Sequence, residues 1–160
     1  MIWVADFTYI RITHAFCYLV VILDACSRKV VGCALSRRLG VGGFALSSNK
    51  QKTPPSCVHY TDRGCQYASE IYQRALDVAW LQGSTSAIGN PYHNAHAESF
   101  MKTLKGEGVD IAGYDNFTDV AEGLPRFIEQ VYNSKRLHSA LGYRSPEEFE
   151  TLFAQRAGLV

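Results

Sequence analysis

Residues 59–69, HYTDRGCQYAS, begin as a strand and continue as a turn. The β-branched and aromatic run at residues 57–61 is typical of a strand that enters a core. This strand ends on a carboxylate, Asp62, and Arg63 and Gly64 turn the chain immediately afterwards. A lone carboxylate in an apolar setting is strongly destabilising unless it is paired or binds a cation. The stretch therefore predicts that Asp62 has partners elsewhere in the chain.

Composition limits the kind of protein. With 160 residues, 47% of them hydrophobic and 19% charged, the chain suits a single soluble domain over residues 1–160. The longest apolar run, residues 15–23, is too short to cross a bilayer, and no secretory leader pattern opens the chain, so a cytoplasmic protein is expected. Five cysteines without CxxC spacing predict reduced thiols. Because the net charge is only +1, local basic patches would have to hold any nucleic-acid partner.

The hydrophobic pattern predicts strands first, then alternation, then helices. Three antiparallel strands are predicted at residues 3–10, 16–23 and 30–36. The Gly-rich segment 40–50 is a poor helix candidate. The strand that ends at Asp62 follows, then a helix over residues 69–80 and a candidate fifth strand at residues 84–88. This order predicts an α/β fold with a five-stranded mixed sheet flanked by helices on both faces.

The C-terminal part of the chain, about residues 116–156, is predicted to be a helical extension. One helix is expected from residue 116 to about residue 141, with Pro125 as a kink and Gly142 as the stop. Its buried stripe is predicted to be Val120, Leu124, Phe127 and Val131. The motif SPEE at residues 145–148 has the form of a capping box that begins a further helix.

Two more acids raise the same question as Asp62. Asp6 lies inside WVADFTY, a strand expected to be central, and Glu98 lies on a helix predicted to begin near Asn94, with Asn94 as its cap. Glu98 borders a core stripe, and Lys102 and Lys105 follow on its own face at i+4 and i+7. Carboxylates from two strands and a helix suit Mg²⁺, and two such ions about 4 Å apart can stabilise both the attacking and the leaving oxygen of a phosphoryl transfer. The lysines would then hold phosphates.

Each acid also has a plainer interpretation when it is taken alone. Asp6 could accept a core hydrogen bond, Asp62 could cap a turn, and Glu98 could pair with Lys102. Their joint spacing favours the catalytic interpretation: 55 residues lie between Asp6 and Asp62, and 35 lie between Asp62 and Glu98. Asp24, in LDACSRK, is instead expected to organise a turn with its neighbours Ser27 and Arg28.

In this spacing the chain resembles the catalytic core of insertion-sequence transposases of the retroviral-integrase-like superfamily, whose Asp, Asp and Glu have a 35-residue second interval. The resemblance extends over nearly the whole chain. The matching blocks are WVADFTYI, LDACSRKVVG, HYTDRGCQYAS, GNPYHNAHAESFMKTLK and YNSKRLHSALGYRSPEEF.

The resemblance implies a ribonuclease H-like fold and Mg²⁺-dependent DNA strand cleavage and strand transfer, with Mn²⁺ as a substitute ion. Asp6, Asp62 and Glu98 would be both catalytic residues and metal ligands, with two ions per site. Residues expected to contact DNA are Arg63, Gln66, Tyr67, Lys102 and Lys105. Asn94 and Gly64 would support the ligands. The expected partners are element ends and target DNA, bound by a homodimer or higher oligomer in a bacterial cytoplasm, with no membrane and no small-molecule substrate.

Two departures from the family pattern limit these expectations. Segment 40–50 is shorter than the full helix that family members carry there, which leaves the activity of this copy open. The helix-turn-helix segments that read element ends are not found before the first catalytic strand, so no N-terminal DNA-reading domain is expected. The alternative is a degenerate or domesticated domain that binds DNA or oligomerises without catalysis. A small-molecule phosphohydrolase on the same fold is disfavoured by the two lysines and by the matching blocks.

Overall fold

The computed structural model describes residues 2–37, 43–46, 58–61 and 91–158. Within these residues five strands form one sheet in the order β4-β3-β2-β1-β5. The strands are β1 (Ile2–Ile12), β2 (Ala15–Asp24), β3 (Val30–Ser36), β4 (Gly43–Leu46) and β5 (Val58–Thr61). Three of the pairings are antiparallel, and β5 is parallel to β1, so the predicted mixed sheet and the α/β class are confirmed. The predicted helix over 69–80 and the candidate strand over 84–88 lie outside the described residues.

Strand β4 lies in the Gly-rich segment, where no strand was predicted. Residues 43–46, within the segment judged a poor helix candidate, pair antiparallel with β3, from Ser36 opposite Gly43 to Cys33 opposite Leu46. Strand β3 offers a row of backbone donors and acceptors on its side away from β2, and such an edge is satisfied by another strand. Pairing with β3 therefore determines the conformation of residues 43–46, whose own preferences for helix and for strand are both weak.

The helical part is divided more finely than the sequence predicted. Its segments are α1 (Pro91–Thr103), a π-helical segment (Leu104–Val109), α2 (Phe117–Phe127), a second π-helical segment (Ile128–Asn133), a 3-10 turn (Ser139–Leu141) and α3 (Pro146–Arg156). The start at Asn116 is confirmed, because its side chain and that of Asp119 form a capping box. The expected single helix to residue 141 is wrong, since helical structure stops at Asn133 and resumes only as the short turn.

The wider π-helical turns explain which side chains are buried after Pro125. The buried stripe runs from Val120 and Leu124 to Ile128 and Tyr132, each four residues apart. The prediction was right for Val120 and Leu124 and wrong for Val131, which is 39% exposed. A spacing of four stays on one face when the turn widens beyond 3.6 residues, and the sequence pattern alone does not show that widening.

The predicted helix stop at Gly142 and the predicted helix start at Ser145 are both observed. Gly142 adopts the left-handed conformation, with φ of 67°, directly after the 3-10 turn. Ser145 caps α3: its hydroxyl accepts from the Glu148 N–H at 3.3 Å, and the Glu148 carboxylate accepts from the Ser145 N–H at 3.0 Å. Pro146 is the first helical residue, which completes the predicted capping box.

Helices α1 and α2 pack on one face of the sheet, which we call the helix face. In the antiparallel register Val4 and Ile10 of β1 lie opposite Leu23 and Cys17 of β2. Leu19 and Val21 alternate with the same period, so all these side chains lie on the helix face. The helices contribute Ala97, Phe100, Leu104, Val120, Leu124 and Ile128. This packing fixes the position of α1 against the internal strand β1.

A nearly buried ion pair joins α3 to the turn between β2 and β3. The Lys29 ammonium lies 2.8 Å from Glu150 Oε2, and the Ser27 hydroxyl donates to Glu150 Oε1 at 2.9 Å. The Lys29 side chain is 8% exposed and that of Glu150 is 25% exposed. Removing Glu150 should therefore cost more than removing Lys29, because the ammonium that remains is the more buried charge.

We expect Glu150→Ala to lower the free energy of unfolding by about 2–4 kcal/mol, and Lys29→Met to lower it by about 1–2 kcal/mol. In the second variant Glu150 keeps Ser27 and its access to water. Urea unfolding followed by circular dichroism measures both values. The exposed neighbour Glu148 is unsuitable as a control because it caps α3, so Thr151→Ala serves instead. Equal losses for the two variants would contradict the burial argument.

Candidate functional site

Asp6 is half-buried on β1, an internal strand between β2 and β5, and belongs to the helix face. It lies opposite Val21 in the register of β1 and β2, and Val21 is part of the core under α1 and α2. Its Oδ1 accepts a hydrogen bond from the N–H of Phe7 at 2.8 Å. Asp6 is also the first residue of β1 after the paired stretch with β5, which ends with Ala5 opposite Thr61. In sequence, Thr61 is the residue immediately before Asp62.

Glu98 lies on the exposed side of α1, beside the stripe that packs on the sheet. The predicted core positions Ala97, Met101 and Leu104 are all buried, and Phe100 joins them. Glu98 itself is exposed, as expected for a residue at the border of the stripe. Since α1 packs on the helix face against β1, Glu98 and Asp6 are carried on the same side of the sheet.

The two predicted DNA-binding lysines have different surroundings. Lys102 is exposed in the last turn of α1. Lys105, in the π-helical segment that follows, is half-buried, and its ammonium lies 5.0 Å from the centroid of the Tyr9 ring. Sequence reasoning missed Tyr9 as a neighbour of this site. A spacing of three on a strand puts Tyr9 on the face opposite Asp6, so no local sequence pattern indicated its contact with Lys105.

Most of the remaining predicted site residues are not among those that the structure describes. Asp62, Arg63, Gly64, Gln66 and Tyr67 lie outside the described residues. The prediction that Asn94 caps α1 is wrong, because the helix begins at Pro91 and Asn94 lies within its first turn. Proline favours the first helical position, where its missing N–H has no partner to lose. The described part of the chain contains no group of three His, Cys, Asp or Glu side chains placed to bind a metal ion.

Asp24 organises the turn between β2 and β3, as predicted. Its Oδ1 accepts from the N–H groups of Cys26 at 2.7 Å and Ser27 at 3.1 Å, and its carbonyl accepts from the Arg28 N–H at 2.8 Å. Arg28 adopts a positive φ of 61°, which this tight turn imposes. The LDACSRK block therefore has a structural explanation in which Asp24 is committed to backbone donors.

The described cysteines differ in exposure. Cys17 and Cys33 are buried, whereas Cys26 is exposed. Burial raises the pKa of the Cys17 thiol to about 11 and that of Cys33 to about 12. Both thiols therefore stay protonated near neutral pH and are poor nucleophiles and poor metal ligands.

Basic residues of the YNSKRLHSALGY block make contacts within the fold. Arg136 bonds the carboxylate of Glu107 on the exposed surface. The His138 ring contacts that of Tyr132 edge to face, with centroids 5.3 Å apart. Burial, with the positive charges of Arg28 and Arg136, lowers the pKa of His138 to about 4. His138 is therefore neutral near pH 7 and contributes no charge for a polyanion.

None of the helices among the described residues combines the length and the hydropathy that a bilayer span requires.

Comparison with known proteins gives a consistent result over both halves of the chain. Models of the integrase core domain match residues 1–91 and residues 81–146. The chain is 40% identical over 153 residues to the transposase for insertion sequence element IS904 of Lactococcus lactis subsp. lactis (strain IL1403), covering 93% of the chain and 60% of that protein. It is 34% identical over 160 residues to the insertion element IS600 uncharacterized 31 kDa protein of Shigella sonnei, covering 98% of the chain and 59% of that protein.

A third relative is the transposase InsF for insertion sequence IS3A of Escherichia coli (strain K12), 37% identical over 152 residues. That match covers 92% of the chain and 53% of the relative. The chain thus spans between about half and three-fifths of the length of these curated relatives.

Proposed function

Because the chain belongs to the integrase core domain family, we propose that it is the catalytic core of an insertion-sequence transposase. Its fold would be ribonuclease H-like, with a single domain over residues 1–160 and helices on both faces of the sheet. Two features support this fold. The sheet is mixed, with β5 parallel to its neighbour β1. Its face opposite the helix face is also buried along much of β2, at Val20 and Ile22.

One observation carries the proposed active site: Asp6 and the helix that bears Glu98 lie on the same side of the sheet. The register of β1 and β5 supports the third member, since Ala5, which precedes Asp6, is opposite Thr61, which precedes Asp62. Continuing the parallel pairing by one residue would bring the two aspartates side by side. The buried stripe of α1, which packs on the helix face, would hold Glu98 near the two aspartates.

Asp6, Asp62 and Glu98 would together hold two Mg²⁺ ions, with Mn²⁺ as a substitute. Carboxylate oxygens are the ligands that these hard cations take, and a half-buried carboxylate such as Asp6 gains from a neighbouring cation. When bound, the ions would activate the attacking oxygen and stabilise the leaving oxygen at a phosphodiester. The protein's own part is to hold three carboxylates together on rigid elements, two strands and a packed helix.

DNA would be held by the basic and polar residues around these acids. Lys102 and Lys105 follow Glu98 along the same helical face and would contact phosphates, which position a duplex without reading its sequence. Arg63, Gln66 and Tyr67 would contact DNA from the loop after β5, with Gly64 and Asn94 supporting the ligands. Element ends and target DNA would be the substrates, in a homodimer or higher oligomer in the cytoplasm of a bacterium.

Divalent-metal titration with labelled DNA tests this proposal. The chain should cut duplex DNA, or join a pre-cut 3′ end to another duplex, with Mg²⁺ or Mn²⁺ and not with EDTA. Water breaks one phosphodiester in the first step and leaves a 3′-hydroxyl. This hydroxyl then attacks a second phosphodiester and displaces its 3′ oxygen. DNA binding without any metal-dependent product, at all metal concentrations and with both substrates, would contradict the proposed activity.

Changing Lys102 and Lys105 together to Glu should weaken DNA binding equally for all sequences. Each lysine is expected to displace counterions from about one phosphate, so the slope of log affinity against log salt should flatten by about two contacts. Fluorescence anisotropy with one duplex at several salt concentrations measures the slope. Lys135, exposed two residues after the end of the second π-helical segment, gives the matched control Lys135→Glu. A slope as steep as that of the unmodified chain would show that the two lysines only face solvent.

A further inference from the structure

The hairpin end of β1 and β2 carries large aromatic side chains that are not part of the core. Tyr9 is 56% exposed and Phe16 is 50% exposed. Their rings meet edge to face with centroids 5.5 Å apart. Across the strands Tyr9 lies opposite Tyr18, and Arg11 lies opposite Phe16. We call Tyr9, Arg11, Phe16, Tyr18 and the ammonium of Lys105 the hairpin patch.

The hairpin patch lies on the sheet face opposite Asp6. Side chains alternate along a strand, so Tyr9 and Arg11 point away from the face that carries Asp6 and Ile10. Nearer the other end of the strands this second face is fully buried, at Trp3 and Ile22. Burial therefore ends before the hairpin, and Tyr9 and Phe16 remain accessible. Adjacent large aromatics left accessible in this way are typical of a binding surface.

Two cations accompany these rings. The Lys105 ammonium lies over Tyr9, 5.0 Å from the ring centroid, and Arg11 is exposed on the same face of the hairpin. Aromatic rings flanked by cations form the surface on which single-stranded nucleic acid binds, with bases on the rings and phosphates on the cations. Unpaired bases are required, because a base inside a duplex presents no free face to a ring.

Charge argues against a second copy of the chain as the occupant. A two-fold symmetric contact brings the same patch of both copies together. Arg11 and Lys105 of one copy would then face Arg11 and Lys105 of the other, and such like-charge contacts are costly at an interface. A polyanion with flat apolar groups satisfies both the charges and the rings.

We propose that the hairpin patch binds single-stranded nucleic acid, with Phe16 as the stacking surface and Arg11 and Lys105 as phosphate contacts. Taking that nucleic acid to be DNA rests on the proposed function. Lys105 connects the patch to the helix of Glu98, because it follows α1 directly. A strand separated at a cut or frayed end would pass from the proposed active site around the edge of β1 to these rings.

The test compares binding of a fluorescein-labelled oligo(dT) strand and of a blunt duplex of equal length to the whole chain in EDTA. Phe16→Leu should weaken oligo(dT) binding about tenfold, since stacking of one base contributes a factor in this range, and should leave duplex binding within about twofold. Phe16→Trp should restore it. Arg11→Gln should flatten the salt dependence by about one phosphate contact. The matched control is Phe153→Leu, an equally exposed aromatic on α3.

Equal oligo(dT) affinities for Phe16→Leu and Phe153→Leu would overturn the proposal. So would unchanged binding together with a Phe16→Leu shift from dimer to monomer in sedimentation, which would assign the patch to a second copy. The result of this binding test can be distinguished from the result of the DNA-cutting assay that tests the proposed function. Oligo(dT) binding is measured in EDTA and does not require cutting, so the effect of Phe16→Leu is observable whether or not the unmodified chain cuts DNA. A chain that binds oligo(dT) through Phe16 but never cuts would refute only the proposed activity.

Discussion

Replacing Glu98 by Gln should lower the rate of metal-dependent DNA cutting by more than about a hundredfold and leave the fold intact. Residues that merely support a metal ligand already cost about 10- to 100-fold when they are changed, so loss of a ligand's charge should cost more. Glu98 is exposed and takes no part in the core stripe of α1. The free energy of unfolding in EDTA should therefore remain the same. Product formation with labelled DNA across a Mg²⁺ titration measures the activity.

Glu122→Gln is the matched control for this substitution. Glu122 is likewise an exposed glutamate on a helix that packs on the helix face, but it lies on α2. Its replacement should leave the rate of cutting within about twofold, because it changes the same net charge without touching a ligand. Equal activity of the two variants would remove Glu98 from the metal site. Asp6→Asn is a less clean probe, because Asp6 is half-buried and accepts a hydrogen bond from Phe7.

The parts of the fold that local sequence signals encode were predicted well. The three antiparallel strands follow from alternating and continuous apolar runs joined by short turns, and α3 follows from the capping box at Ser145. These signals act between near neighbours in the chain. Asp24 likewise bonds residues two and three positions ahead, which makes its role readable from LDACSRK.

Features that depend on distant contacts were not predicted. Strand β4 exists through its pairing with β3, and its four residues have no strong propensity of their own. The shift of the buried stripe to Tyr132 depends on a π-helical segment that the hydrophobic periodicity of the sequence does not indicate. In the sequence 95 residues lie between the neighbours Tyr9 and Lys105 (105 − 9 − 1), and the packing of α1 on β1 brings them together.

For the candidate site, sequence spacing identified the residues but not their relative placement. The structure adds that Asp6 and the helix of Glu98 share one side of the sheet. It also adds that the ammonium of Lys105 rests on Tyr9, at the edge of β1. A long flexible side chain takes its position from the surface that it meets, so its direction is not encoded by i+7 spacing alone.

Asn133→Leu should destabilise the fold by about 2–5 kcal/mol, because two buried backbone groups lose their side-chain partner at once. The Asn133 side chain is buried, its Oδ1 accepts from the Val30 N–H at 2.9 Å, and its Nδ2 donates to the Val30 carbonyl at 3.1 Å. Val30 begins β3, close to a register shift between Ile22 and Leu23 where the ladder with β2 is irregular. The amide therefore bonds both backbone groups of Val30 beside this irregularity of the ladder.

Leucine has the same number of side-chain heavy atoms as asparagine and the same branching at Cγ, but no hydrogen-bonding group, so the substitution removes both bonds while it keeps the shape of the side chain. The midpoint of urea unfolding should fall, with an unchanged dependence on urea concentration. Ser134→Ala is the neighbouring control: the Ser134 hydroxyl donates to the Glu129 carbonyl on the exposed surface, and its loss should cost under about 1 kcal/mol.

Asn133→Asp separates the two bonds, since an ionised carboxylate still accepts from the Val30 N–H but repels the Val30 carbonyl. That variant should be unstable at neutral pH and recover as the pH falls, because the protonated carboxyl regains a donor. If Asn133→Leu were as stable as Ser134→Ala, the backbone of Val30 would not depend on this amide, and β3 would be held by its strand pairing alone.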